Sequence, residues 1–222
     1  MTRRTNARIA GFTFLFYIAV AYPEMVLFDK ATRGDGIPAK LLSIAQHTTE
    51  MRVAIVLSLL STFSALVLAV TLYGITRDED HELAMFGLTC RVGEGVLSAI
   101  LLVTPGLLWL ATAAGPSAPD SGGASAIAAF LFRVGTWQET GAATLFAVGS
   151  TVFSYLLLRG RMIPAPLAWL GVLGSALVAV GLTLQLTEVL SGPITQLMWI
   201  PVALFELTLG PWLIIKGVTA RT

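Results

Sequence analysis

The sequence predicts an all-α, polytopic integral membrane bundle of six transmembrane helices. Two observations carry that prediction. The 222 residues are 55% hydrophobic and only 12% charged, about half the charged share of a soluble domain, and mean hydropathy is +0.80. The apolar residues also fall into runs of about 20 residues, the length that crosses a hydrocarbon core. Six runs qualify, at 9–28, 51–75, 83–110, 139–158, 166–186 and 194–215. The whole chain, 1–222, reads as one transmembrane bundle.

The first run follows a basic start, Arg3, Arg4 and Arg8, and continues past Ala21 to Phe28. That is spanning length rather than the short apolar region of a cleaved signal peptide. Pro23 within it should kink the helix and free a carbonyl. The following loop contains "IPAKLLSIAQHTTEMR", which reads as a short amphipathic helix with His47 and Glu50 on one face. The second and third runs are joined by the acidic turn "TRDEDHE". The third, 83–110, reads as one continuous helix and carries Arg91 and Glu94. "AAGPSAPDSGG" is turn-rich loop. "ASAIAAFLFRVGTW", 124–137, is apolar but short and interrupted by Arg133. It reads as an interfacial helix leading into the fourth span; the alternative is a seventh, half-inserted segment.

Lys and Arg near the span ends set orientation. With six spans both termini share one side. That side holds Arg3, Arg4, Arg8, Arg77, Arg159, Arg161, Lys216 and Arg221; the other holds Lys30, Arg33, Lys40, Arg52 and Arg133. The bias places both termini in the cytoplasm of a multi-pass inner (plasma) membrane protein.

Charges inside the spans mark the candidate site, because a charge in lipid costs several kcal/mol. At about 1.5 Å per residue, Glu94 lies ~16 Å into the third span and Glu206 ~18 Å into the sixth, both near the middle of a core about 30 Å thick. Arg91 is one turn from Glu94 and shares its face. Its planar fork can pair with Glu94 or bridge Glu94 and Glu206. One Arg cannot neutralise two carboxylates, so this trio is a candidate for acid or proton-carrier chemistry. Glu24, Glu139 and Glu188 lie in the outer parts of their spans. They suggest a polar vestibule whose floor is near Glu94 and Glu206, with Trp137 and Trp199 at its rim as an interface belt.

Other classes lack their signatures. The net charge of +1 and the absence of a basic stripe argue against nucleic-acid binding. One cysteine, Cys90, excludes an internal disulfide. Only two histidines, His47 and His81, both in loops, argue against a His-rich metal site, and no Walker, GxSxG or HExxH motif occurs. No cofactor is expected.

Four stretches together resemble a bacterial family of six-helix membrane proteins, domain of unknown function 4386. These are "ARIAGFTFLFYIA", with Arg8, Gly11 and Phe12; "CRVGEGVL", with Arg91 and Glu94; "FSYLLLRGRMIPAPLAWLGVL", with Arg159, Pro164 and Gly171; and "FELTLGPWLIIKG", with Glu206, Trp212, Lys216 and Gly217. The resemblance implies the membrane fold and these residues, and no particular activity.

The residues themselves suggest three functions. The first is acid-initiated cyclisation or isomerisation of a lipophilic, terpenoid-like substrate. Glu94 or Glu206 would donate the proton, Arg91 would tune it, and Trp109, Phe205 and Trp212 would face the carbocation. The second is a proton-coupled carrier or lipid-binding protein using the same acids. The third is a structural membrane subunit. Expected partners are a lipophilic small molecule and membrane lipid, with homo-oligomerisation compatible with all three.

Overall fold

The computed structural model describes residues 2–100, 103–113, 122–192 and 194–219. Every regular element among them is a helix: α1 (Arg3–Ala31), α2 (Ile37–Gln46), α3 (Thr48–Thr76), α4 (His81–Ala99), α5 (Val103–Ala113), α6 (Gly122–Arg159), α7 (Ala165–Leu186), α8 (Ile194–Leu197) and α9 (Ile200–Ile215). Six stretches are long and apolar enough to cross a membrane: Arg3–Ala31, Thr48–Thr76, His81–Thr112, Gly122–Arg159, Ala165–Leu186 and Thr195–Ile215. The chain is therefore a multi-pass membrane protein, as its composition predicts.

The spans form a closed ring in chain order. α1 packs on α3, α3 on α4, α4 on α6, α6 on α7 and α7 on α9; α9 then returns to α1. Glycines set the closest approaches. A Cβ on Gly11 would lie 2.6 Å from the Gly210 carbonyl oxygen, so α1 and α9 touch backbone to backbone. A Cβ on Gly171 would lie 2.6 Å from both the Phe205 ring and Ser154 Oγ, which seats Phe205 against α7. Small residues permit such contacts where lipid supplies no hydrophobic drive.

Three apolar clusters pack the ring; one joins Phe146, Val178, Leu182, Met198 and Val202 across α6, α7 and the sixth span, and the other two lie at different heights. One, toward the termini, contains Phe14, Leu68, Ile75, Phe153, Leu156, Phe205 and Leu213. The other, toward α2 and α5, contains Leu41, Ile44, Met51, Leu107, Leu110 and Ala128. The polar site lies between them.

Several local features differ from the sequence reading. The third span is broken: α4 ends at Ala99, Ile100 leaves the helix with φ −74° and ψ 76°, and α5 begins at Val103. Pro105 explains it, because a proline has no N–H to donate and its ring opposes the carbonyl four residues earlier. The Gln138 amide satisfies the broken end, donating to the carbonyls of Leu97 at 2.7 Å and Ile100 at 3.0 Å. Residues 124–137 are not a separate interfacial helix; they are continuous with the fourth span in α6. α1 continues through Pro23 as a single helix. The amphipathic helix α2 forms, but it stops at Gln46, and His47 caps it. Glu50 belongs to α3 and pairs with Lys30 at 3.0 Å.

The acidic turn ties the terminal side of the ring together. Asp80 caps α4 by accepting from the Leu83 N–H at 3.1 Å, and Arg159 at the end of α6 meets Asp80 at 3.0 Å and Glu79 at 3.3 Å. Arg3 reaches Asp78 at 3.4 Å.

Two predictions follow from this packing. Gly11→Ala should destabilise the bundle by about 1–3 kcal/mol through overpacking, read as an earlier transition in an SDS titration. Gly141→Ala, whose Cβ would meet only Leu97 at 3.9 Å, should be near neutral. The Leu83 N–H, and after it Arg159, hold the Asp80 carboxyl below its ordinary range. A depressed carboxylate stabilises above its unfolded value of about 3.9 and loses that contribution as pH falls through the folded value. Asp80→Asn should therefore flatten the acid limb of the stability profile and leave its shape near neutrality unchanged.

Candidate functional site

Arg91 and Glu94 sit on the inward face of α4, with 2% and 7% of their side chains exposed. Arg91 Nη1 lies 2.8 Å from Glu94 Oε2. The contact is a short ion pair without hydrogen-bond alignment: among the described residues neither Arg91 Nε, Arg91 Nη1 nor Glu94 Oε2 has a hydrogen-bond partner. The Phe146 ring of α6 faces the guanidinium, its centre 4.7 Å away. Room for the Arg91 stem comes from α6. A Cβ on Gly149 would lie 2.9 Å from Arg91 Cγ and 3.1 Å from the Gly87 carbonyl oxygen. A guanidinium fits inside this ring because a side chain is missing opposite it.

Glu206 is buried on α9 at 8% exposure, within electrostatic reach of Arg91 and Glu94. No ion pair joins it to Arg91 among the described residues, so Arg91 does not bridge the two carboxylates. Tyr17 of α1 lies within electrostatic reach of Glu94, Arg91, Glu206 and Glu24 together.

A cavity of about 190 Å³ adjoins the pair. Glu94 lines it, and so do Glu24 from α1 and Glu139 from α6. Ser58, Ser61 and Thr62 supply one wall from α3; Ser98, Thr104 and Gln138 supply another at the α4–α5 break. Ser61 Oγ donates to Glu24 Oε2 at 3.4 Å. Glu24 and Glu139 interact electrostatically, and Glu139 is the more exposed of the two. Of the vestibule expected from the sequence, Glu24, Glu139 and Glu94 share this cavity, with Glu139 the exposed member; Glu188, Glu206, Trp137 and Trp199 do not line it.

Several buried hydroxyls in the spans bond to their own helix: Ser64 to Leu60 O, Thr71 to Val67 O and Thr76 to Leu72 O. Thr62 does not. Its Oγ1 is buried and has no hydrogen-bond partner among the described residues, although the residue lines the cavity. Thr62 thus brings an unmatched hydroxyl to the cavity that Glu94 also lines.

The other expected site residues lie elsewhere. Trp109 is 66% exposed on α5 and points away from the cavity. Phe205 is buried in the apolar cluster near the termini, and Trp212 packs against that cluster. Trp137 and Glu188 line a different cavity. Tyr17, Ser58, Ser61, Thr62, Ser98 and Thr104 were not singled out from the sequence. A signal existed: Ser58, Ser61, Thr62 and Ala65 recur at helical spacing on α3, and Tyr17, Ala21, Glu24 and Phe28 do so on α1.

Fold and site together define a six-span membrane bundle with a buried Arg–Glu pair beside a carboxyl-lined cavity. A family model, Domain of unknown function (DUF4386), matches residues 9–217, and the chain belongs to that family. No curated protein and no solved structure matches it. Among the described residues no group of three or more His, Cys, Asp or Glu side chains could hold a metal ion.

The pair itself can be tested. Removing one partner of a buried ion pair leaves an unmatched charge and typically costs about 3–5 kcal/mol. Arg91→Met should show a loss of that size in SDS titration. Arg91→Met combined with Glu94→Met should recover most of it.

Proposed function

We propose that the protein is a proton-coupled carrier of small cations in the inner membrane, with both termini cytoplasmic. The observation that carries this reading is the charge balance of the cavity. Glu24, Glu94 and Glu139 line it, Glu206 lies behind it, and Arg91 is the cation beside them. Carboxyls in excess of guanidinium, in a poorly solvated site, are matched by protons or by a bound cation. Exchange of one for the other on Glu94 couples the two. The hydroxyls of Ser61 and Thr62 and the amide of Gln138 suit a small polar solute that has shed its water. The Lys and Arg bias toward the terminal side supports the orientation.

Acid-catalysed chemistry on a terpenoid asks for a different chamber. Pockets that enclose drug-sized apolar molecules run to about 300–1,000 Å³ with mainly apolar walls. The cavity here is near 190 Å³, its three carboxyls and several hydroxyls share the wall with Tyr17, Phe28, Ile100 and Val103, and the aromatic side chains Trp109, Phe205 and Trp212 stand away from it. These features favour the carrier over the cyclase.

Purified protein in weakly buffered detergent solution should release protons when tetramethylammonium is added, saturably and read with a pH dye. Glu94→Gln should abolish the release, and Glu24→Gln should shift it to higher cation concentration. Wild-type protein that releases no protons with tetramethylammonium or methylammonium would sink the carrier reading. Conversion of a polyprenyl substrate that is lost in Glu94→Gln would favour the enzyme instead.

A further inference from the structure

A second cavity, of about 460 Å³, lies between α6 and the turn after α7. Its walls include Arg133, Trp137, Thr140, Gln185, Glu188 and Thr195. The Arg133 guanidinium lies over the Trp137 ring, 5.7 Å from its centre. That contact steadies the cation on the cavity wall. Glu188 faces the same space from a backbone with φ 58°, in the left-handed region that non-glycine residues seldom occupy. Such backbone recurs where a side chain must be held for a purpose.

Arg133 and Glu188 carry opposite charges on one cavity, yet neither takes part in an ion pair among the described residues. A separated positive and negative charge is the complement of a zwitterion. Depth identifies which kind. From Arg159 back to Arg133, α6 rises ~39 Å at about 1.5 Å per residue. The hydrocarbon core is about 30 Å thick and the bilayer with its headgroups about 40–45 Å. With Arg159 at one interface, Arg133 falls in the headgroup layer of the other. α7 has 22 residues and rises ~33 Å; Glu188 follows its end and reaches the same layer. Leading from the cavity toward the bilayer interior, α7 exposes Leu184, Val180, Leu177 and Leu173 at helical spacing. That stripe suits acyl chains.

We propose that this cavity seats the headgroup of a zwitterionic phospholipid bearing a primary ammonium. The Arg133 fork takes the phosphate in two parallel hydrogen bonds. The Glu188 carboxylate takes the ammonium. The Trp137 indole lies at the interface where such rings concentrate. An anionic lipid with a glycerol headgroup satisfies Arg133 but leaves Glu188 facing a hydroxyl. Selectivity follows from that missing ammonium. The site is separate from the cavity at Glu94, and its failure would leave the carrier reading untouched.

Native mass spectrometry of the detergent-solubilised protein, with equal phosphatidylethanolamine and phosphatidylglycerol added, tests this directly. Wild type should retain phosphatidylethanolamine severalfold over phosphatidylglycerol. Glu188→Gln should erase the preference, Glu188→Lys should invert it, and Arg133→Gln should weaken retention of both lipids. Both side chains are exposed, so the fold is not at risk. Equal retention by wild type, or a preference that survives Glu188→Gln and Glu188→Lys, would overturn the proposal. Soluble glycerophosphoethanolamine at millimolar concentration should leave the lipid adduct in place. Complete displacement by it would refute a lipid as the occupant.

Discussion

The burial of one guanidinium governs the middle of this molecule. Arg91 brings several donors and a fixed charge into a ring of otherwise apolar helices, and each neighbour is shaped by that need. α4 supplies Glu94 one turn away to balance the charge. α6 supplies Phe146 as a ring face and Gly149 as a gap for the stem. α9 and α1 bring Glu206 and Tyr17 within its field. A buried pair of this kind is weak evidence of stabilisation, since desolvating both ions offsets most of their attraction. Here the pairing is also incomplete, with donors on Arg91 and an acceptor on Glu94 lacking aligned partners. A group held for rigidity alone is expected to be satisfied; this one is left ready to accept another partner.

The cavity depends on the same arrangement. Polar space opens beside Glu94 where the third span breaks, with Ser98, Ile100, Val103 and Thr104 on its wall. The break is set by Pro105 and stabilised by Gln138, whose amide replaces the helix partners of Leu97 and Ile100. Helix interruption at the depth of a binding site is a recurrent membrane-protein solution, since irregular backbone is tolerated only where protein or a cavity satisfies it. Glu139, adjacent to Gln138, therefore reaches the rim from a helix whose neighbour also holds the break together.

The large features were legible in the sequence for one reason: they oppose the bilayer. Twenty apolar residues leave little choice but to span, and Arg91, Glu94 and Glu206 stand out because charges there are costly. Similar depth, estimated from helix rise, was enough to associate Glu206 with the pair. The remaining site residues cost little in a membrane and carry no such mark. Ser58, Ser61 and Thr62 resemble the many hydroxyls that bond to their own helix, and only the bundle shows that Thr62 does not. The aromatic residues Trp109, Phe205 and Trp212 could not be aimed, because which way a side chain faces depends on helix rotation in a segment apolar on every side. The continuity of α6 through Arg133 was hidden by a charge that reads as a boundary, although it lies at headgroup depth, where a charge is cheap.

The sequential ring has a consequence for how the protein is made. Five of its six seams join helices consecutive in the chain, and each can zip as soon as its second member leaves the ribosome. The remaining seam joins α1 to α9 through Gly11 and Gly210, the first and sixth of these spans. At roughly 5–20 residues per second, translation of the intervening chain takes on the order of 10–40 s. Throughout that interval the Gly11 face of α1 has only lipid, or the insertion machinery, to lie against. Closure of the ring therefore depends on a helix that waits for a partner made five spans later.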